Sequence, residues 1–167
     1  TEAVDWLNRA IRGDPQLISA YITLADYSSQ RFDFVAASRT LTAAQRINPK
    51  SPEVYRGFAL LELRRGNAKS AIGFVQKALS LYETDVESLL ILAKAQLMLR
   101  DFRQAYATSA KAVELDMNHR EAQVLFAETL SGIQGRDAGI DYLIKLINSY
   151  PLVIDYRMAL ANLYLQD

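Results

Sequence analysis

Alanine recurs along this chain at one constant spacing, and each of these alanines follows a large apolar residue. The pairs are Leu24-Ala25, Phe58-Ala59, Leu92-Ala93, Phe126-Ala127 and Leu160-Ala161. One dipeptide type at one fixed spacing indicates an internal repeat, in which each repeat buries its apolar face only by stacking on its neighbours. The period therefore predicts one extended repeat array rather than several globular domains.

Other columns agree when the repeats are counted from residues 18, 52, 86, 120 and 154. Small residues occupy two further columns, which hold Ala37, Ala71, Ala105 and Gly139, and Ala10, Ala44, Ala78 and Ala112. Proline occupies a third column at Pro15, Pro49 and Pro151. This pattern resembles the tetratricopeptide repeat, a helix–turn–helix unit with the same period, and residues 86–119 match it most completely.

The resemblance implies an all-α fold, a right-handed α-solenoid of tetratricopeptide helix pairs. Residues 1–167 would form a single array with four full repeats at 18–51, 52–85, 86–119 and 120–153. Residues 1–17 would be the second helix of a truncated repeat, and residues 154–167 the first helix of another, as in a piece of a longer array. Uncovered apolar side chains are then expected at the two ends, at Trp6 or Leu7 and at Leu160 or Leu163.

Alanine in two columns removes bulk where two helix backbones approach, and the bulky neighbours fill the gaps around it. Some positions depart from the pattern. Phe32 replaces a turn glycine, which predicts a turn that is wider or aromatic-packed. Glu83 and Met117 replace proline, which predicts that the junctions after the second and third repeats are nearly continuous in direction. The fourth repeat is predicted to be the loosest because three glycines lie around its turn, Gly132, Gly135 and Gly139.

Composition excludes several function classes. Lys+Arg and Asp+Glu are equal at 19 each, so the chain lacks the basic excess that nucleic-acid binding requires. No apolar run approaches about 18 residues, which argues against a direct membrane span. Cysteine is absent, and the single histidine, His119, is expected to be a solvated loop residue rather than a catalytic base. Because the carboxylates are dispersed, we predict no enzyme activity, no metal site and no cofactor.

The resemblance also implies a concave groove lined by the first helices of successive repeats. We expect an apolar floor edged by a row of acids, and the candidate peptide-binding residues are Arg56, Leu60, Leu63, Glu87, Leu90, Ile91, Lys94, Leu97, Glu121, Val124 and Glu128. Two structural alternatives remain open. The apolar positions could pack helix against helix, and the acids could complement the helix dipole in the first turns.

These features predict a protein–protein interaction scaffold that binds a peptide or helix of a partner in its groove. The family's carboxylate clamp, which needs lysine and asparagine at fixed groove positions, has no match in any three consecutive repeats. Two alternatives are a non-catalytic regulatory or targeting arm of a larger multidomain enzyme, and a self-association module that stacks end to end.

Overall fold

A computed structural model describes residues 2–165, and this part of the chain contains ten helices and no strand. The helices are α1 (Glu2–Gly13), α2 (Ile18–Gln30), α3 (Phe34–Ile47), α4 (Pro52–Arg64), α5 (Ala68–Leu81), α6 (Val86–Met98), α7 (Phe102–Leu115), α8 (Arg120–Gln134), α9 (Arg136–Ser149) and α10 (Ile154–Leu165). The first helices of the pairs are α2, α4, α6, α8 and α10, and each begins one full repeat period after the previous one. The prediction of an all-α helical repeat fold is confirmed.

The chain divides into two compact units, residues 1–83 and residues 84–167. In the N-terminal unit each helix contacts the next one, and the two first helices, α2 and α4, also contact each other. In the C-terminal unit α6, α7, α8, α9 and α10 follow the same rule, with α6 against α8 and α8 against α10. The first helices therefore lie side by side within each unit, and their shared surface is the predicted groove face.

Alanines of the repeating column that starts at Ala25 are buried wherever a second helix follows them. Ala25 is 2% exposed, and Ala59, Ala93 and Ala127 are fully buried, whereas Ala161 on α10 is exposed. The helix backbones approach closely beside Ala127, because a Cβ atom built on Gly139 of α9 would lie 2.6 Å from the carbonyl oxygen of Ala127 on α8. The column thus sets the packing distance within each helix pair.

The turns within the first three helix pairs share one geometry. In each turn an amide donates to a carbonyl five residues earlier, from Asp33 to Ser28 at 2.9 Å in the first pair. The preceding residue adopts a positive φ of 63° at Phe32, 81° at Gly66 and 58° at Arg100. The Phe32 turn is therefore no wider than the others, and the aromatic-packed alternative holds, with the Phe32 ring edge-on to Phe34 at 6.0 Å between centroids.

The expectation of a junction that is nearly continuous in direction is wrong at Met117, because α7 and α8 pack against each other, and at Glu83 it stays a prediction. Second helices end at Ile47, Leu81, Leu115 and Ser149, again separated by one repeat period, whether or not a proline follows. The residue after each helix leaves helical φ and ψ while its amide still bonds the carbonyl of the preceding turn. Proline is therefore not needed to end these helices, and the next first helix starts in register.

Two of the three glycines in the fourth repeat are close-packing positions. A Cβ atom on Gly132 would lie 2.4 Å from the Phe102 ring, and one on Gly139 would lie 1.9 Å from the Ser131 hydroxyl oxygen. Gly135 alone serves the turn, with a φ of 97° that favours glycine. The predicted looseness of this repeat stays a prediction.

The expected exposure at the ends holds for Trp6, which is 61% exposed, but not for Leu163. Leu163 is 3% exposed and belongs to a core cluster with Ala127 and Leu143, and Leu160 packs against the same cluster. These two leucines lie on one face of α10, which turns toward α9. Leu7 is half-buried.

Candidate functional site

The acids that begin the first helices are exposed along the predicted groove face. Glu53 on α4, Glu87 on α6, Glu121 on α8 and Asp155 on α10 each lie in the first helical turn and face solvent. An acid at this point complements the helix dipole, so the structural alternative applies to all of them. The same four carboxylates remain accessible to a ligand.

A first concavity, which we call the N-terminal concavity, lies between α2 and α4 and has a volume of about 220 Å³. Its floor includes Ile22 and the predicted site residue Leu60. Arg64 closes one side: its guanidinium donates to the Asp26 carboxylate at 2.6 Å and to the Ser29 hydroxyl at 2.9 Å. Because the charges of Arg64 and Asp26 are paired with each other, the N-terminal concavity offers mainly apolar surface.

Arg56 and Leu63, the other predicted site residues of the N-terminal unit, are both half-buried on α4. Neither lines the N-terminal concavity, whereas Gly57, the neighbour of Arg56, does. A Cβ atom on Gly57 would lie 2.6 Å from a methyl group of Leu41. Because glycine has no Cβ atom, α4 can pack closely against α3 at this point. The structure therefore brings Leu60 to the concavity but leaves Arg56 and Leu63 beside it.

A second concavity, which we call the C-terminal concavity, lies between α8 and α10 and has a volume of about 470 Å³. Val124 and Ala159 are half-buried in it, and Met158 is 60% exposed. Glu121 and Asp155 stand at its edge with Arg120, whose guanidinium lies 3.8 Å from the Asp155 carboxylate. The result is an apolar floor with a polar, mostly acidic rim, and both helices that build it are first helices.

Two polar contacts tie α6 to α8 beside the C-terminal concavity. Lys94 donates to the Glu121 carboxylate, so an ion pair joins the two helices. His119 caps α8, since its Nδ1 atom accepts from the Ala122 amide at 3.3 Å, and its Nε2 atom lies 3.1 Å from the Glu87 carboxylate. An accepting Nδ1 requires the tautomer with the proton on Nε2, which then donates to Glu87.

His119 is therefore not the solvated loop residue that the sequence predicts. Its side chain is 24% exposed, and both of its nitrogens are engaged in contacts that hold the start of α8. The position before a helix needs an acceptor for a free amide, and a histidine serves here where aspartate serves at Asp33 and Asp101.

Leu90 and Ile91 are placed in the core rather than on a surface. Leu90 is 1% exposed and Ile91 is 5% exposed, so neither side chain has the free area that a ligand contact requires. The structural alternative, helix packing, accounts for these two positions. The remaining groove residues are half-buried or exposed.

A third concavity, of about 550 Å³, holds the predicted site residues Leu97 and Glu128 together with Arg136. Desolvation raises the pKa of the Glu128 carboxyl above its ordinary value, and the positive charge of Lys94 offsets part of that rise. The Arg136 guanidinium is already engaged, because it donates to the Tyr164 carbonyl at 2.6 Å. Leu97 and Glu128 thus lie apart from the C-terminal concavity.

Sequence reasoning missed some residues that shape these surfaces. Asp26 and Arg64 are separated by one repeat plus one helical turn, so the repeat period predicts that their side chains face each other on adjacent first helices. Asp155 and Met158 sit in the same columns as Glu121 and Val124, so the row of acids expected along the groove extends to Asp155.

Residues 2–165 contain no group of three or more histidine, cysteine, aspartate or glutamate side chains that could hold a metal ion. No helix among them has the length and apolar character that crossing a membrane demands.

Comparison with known proteins agrees with the fold. Residues 64–146, just under half of the chain, match the family model described as "Anaphase-promoting complex, cyclosome, subunit 3". A comparison with curated protein sequences finds no match.

Solved structures of tetratricopeptide repeat proteins match nearly the whole chain, each at 18% identity. A thermophilic TPR protein of Thermus thermophilus aligns with a TM-score of 0.77 over 97% of this chain and 89% of that one. Yeast Tom70 aligns with a TM-score of 0.78 over 99% of this chain, which spans only 36% of Tom70. YrrB, described as a TPR protein with an unusual peptide-binding site, aligns with a TM-score of 0.66 over 93% of this chain and 80% of its own.

The tetratricopeptide fold generally serves as a non-catalytic scaffold for protein interactions. Identity at this level shows the fold alone, and the periodic alanine pattern with its helix pairs supplies the sequence evidence. Together these observations show that the chain has the fold of the tetratricopeptide repeat proteins.

Proposed function

We propose that this chain is a protein-interaction scaffold whose first helices bind a peptide or helix of a partner protein. The C-terminal concavity between α8 and α10 is the observation that carries the proposal. It combines an accessible apolar floor with charged groups at the rim, as binding sites for short segments commonly do. YrrB, which shares the fold, is described as having a peptide-binding site, and this supports the functional class.

The partner segment carries an apolar anchor. Met158 exposes 60% of its surface in the C-terminal concavity beside Val124, and methionine adapts its shape to different apolar side chains. Burying one large apolar side chain contributes about 1.5–3 kcal/mol. A segment that places one or two such residues against α8 and α10 gains most of its affinity there.

The charges at this surface favour a segment with basic flanks. Glu87, Glu121 and Asp155 are exposed at the starts of α6, α8 and α10, whereas the basic groups beside them, Lys94 and Arg120, lie within ion-pair distance of Glu121 and Asp155. The excess of acid is small, so the preference for basic ligands is mild. Such surface charges act mainly on the association rate, and salt weakens their effect.

A defined probe tests the proposal. The Leu/Lys peptide is a synthetic helix with leucines at i, i+3, i+4 and i+7 and lysines elsewhere, labelled for fluorescence anisotropy. Met158→Arg removes the anchor site at an exposed position, so the helical circular dichroism should not change. Met117→Arg is the matched control, because Met117 is 72% exposed in the loop before α8.

We expect Met158→Arg to weaken binding of the Leu/Lys peptide about tenfold or more, since it removes the burial of one apolar side chain. Met117→Arg should change the affinity less than about twofold, because surface substitutions away from a contact have small effects. Equal losses in the two variants, or a loss confined to Met117→Arg, would contradict the proposal and place the binding surface elsewhere.

End-to-end self-association is a second candidate function, and the alanine column favours it. Ala161 on α10 is exposed, although every other member of its column is buried against a second helix. Trp6 on α1 is also 61% exposed. A second helix such as α1 of another copy would cover α10 and complete a helix pair.

Sedimentation velocity over a wide concentration range tests the association. Wild-type chain should form larger species that Ala161→Glu abolishes, because a charge would then lie in the new helix contact. A strict monomer at the highest concentration would exclude this second candidate and leave the peptide-binding proposal unaffected.

A further inference from the structure

The outer face of α3 carries arginines without acids. α3 contains Arg39 and Arg46 and no acidic residue, and the surrounding residues 31–50 hold four basic side chains against one acid, Asp33. Val35, Arg39, Thr42 and Arg46 follow one helical face at spacings of four, three and four. This face is about 16 Å long at about 1.5 Å per residue, the length of a short peptide segment.

The two arginines of α3 are available to a ligand. Both are exposed, and no salt bridge among the described residues involves either one. With Val35, Ser38, Thr42 and Arg65 they line a concavity of about 450 Å³. The donors that this concavity presents are chiefly guanidinium groups, because the Thr42 hydroxyl already donates to the Ser38 carbonyl at 2.8 Å.

Arg65 is held in place at the end of this concavity. Its guanidinium donates to the Glu62 carboxylate at 2.9 Å and to the Phe34 carbonyl at 3.2 Å, and it lies 5.4 Å from the centre of the Phe34 ring. An arginine fixed by three contacts loses little conformational entropy when it binds a further anion. The concavity is thus preorganised on the side of Arg65.

Phe32 is linked to this concavity through the Phe34 ring, which it contacts edge-on and over which the Arg65 guanidinium lies. Its side chain is 77% exposed, and its φ of 63° is one that glycine adopts at Gly66 in the corresponding turn. A non-glycine residue in this conformation is strained, and an exposed aromatic ring gains little from folding. The Phe34 ring supports it edge-on, so the ring is both presented and oriented.

We propose that this surface, the α3 patch (Phe32, Val35, Ser38, Arg39, Thr42, Arg46 and Arg65), binds an acidic peptide segment of a partner protein that carries an apolar residue. Charge complementarity selects the partner: the unpaired guanidinium groups of Arg39 and Arg46 favour carboxylates, and arginine pairs with them through two hydrogen bonds. Phe32 and Val35, both mostly exposed, supply the apolar contact. The concave shape suits peptide side chains rather than the flat surface of a bilayer.

The Leu/Glu peptide, in which glutamate replaces every lysine of the Leu/Lys peptide, is the probe. The binding variant is Arg39→Glu with Arg46→Glu. The matched control is Arg103→Glu with Lys145→Glu, which makes the same charge change at two exposed positions on α7 and α9. We expect the binding variant to weaken binding of the peptide about tenfold or more and the control less than about twofold, because both change the net charge equally and only the binding variant alters the contact itself.

Phe32→Gly separates binding from folding. It relieves the backbone strain, so the chain should unfold at a higher denaturant concentration, yet it removes the ring, so the Leu/Glu peptide should bind several-fold more weakly. Loss of binding without loss of stability is the result that a merely structural role cannot give.

Three results would overturn the proposal. The first is equal affinity of the Leu/Glu peptide for wild type and for the Arg39→Glu, Arg46→Glu variant. The second is full binding by Phe32→Gly. The third is binding of phosphatidylserine vesicles, abolished by the same double variant, where the peptide does not bind. None of these results depends on the C-terminal concavity, which the Leu/Lys peptide tests separately.

Discussion

Ala127→Leu should destabilise the C-terminal unit at the point where α8 and α9 approach most closely. Ala127 is fully buried, and a Cβ atom on Gly139 would lie only 2.6 Å from its carbonyl oxygen. A leucine adds three carbon atoms where not even one fits on the facing helix. Overpacking costs about 1–3 kcal/mol, and we expect the upper end of that range here because the close group is backbone.

The matched control is Ala161→Leu, the same substitution in the same column at an exposed position. It should change the free energy of unfolding by no more than about 0.5 kcal/mol. In thermal melts the Ala127→Leu variant should lose roughly 2–4 °C for each kcal/mol. Equal unfolding midpoints for the two variants would refute the argument that buried alanines set the helix spacing.

Three further predictions concern single positions. Gly73→Ala should stabilise α5 by up to about 1 kcal/mol, because nothing lies within 4 Å of the added Cβ atom. Gly139→Ala should destabilise α9, because its Cβ atom would lie 1.9 Å from the Ser131 hydroxyl oxygen. In denaturant titrations the unfolding midpoints of the two variants should therefore shift in opposite directions. Leu90→Arg should unfold the chain, with loss of helical circular dichroism, because it buries an unpaired charge. Folding raises the pKa of Glu128, so the free energy of unfolding falls as pH rises through the raised pKa. Glu128→Gln should remove this fall. The variant should therefore be more stable than wild type only at pH values above the ordinary pKa range of a carboxyl group.

The fold could be predicted because its determinants repeat. Burial of Ala25, Ala59, Ala93 and Ala127 follows from one column of the sequence, since close helix approach imposes the same small residue at the same place in every repeat. The turn at Phe32 shows the limit of this reasoning. Its hydrogen bonds hold the backbone in the same positive φ with or without glycine, so the departure in sequence changes the strain and leaves the path unchanged.

The candidate site was harder to predict than the fold because one helical face includes both core and surface positions. Leu90 and Val124 share a column, yet Leu90 is buried and Val124 is half-buried in the C-terminal concavity. Their difference depends on what packs against each helix, which a column does not record. His119 shows the same limit, because its two contacts involve the Ala122 amide and the Glu87 carboxylate of the preceding repeat.

Methyl NMR of the three methionines tests the central claim most directly, since the chain carries one in each of three different places. Met158 lies in the C-terminal concavity, Met98 in the concavity at the end of α6, and Met117 in the loop before α8. Titration with the Leu/Lys peptide should shift the Met158 methyl signal in a saturable manner and leave the Met117 signal unchanged. Saturable shifts at Met117 or Met98 with a constant Met158 signal would contradict the proposal that the first helices α8 and α10 hold the partner.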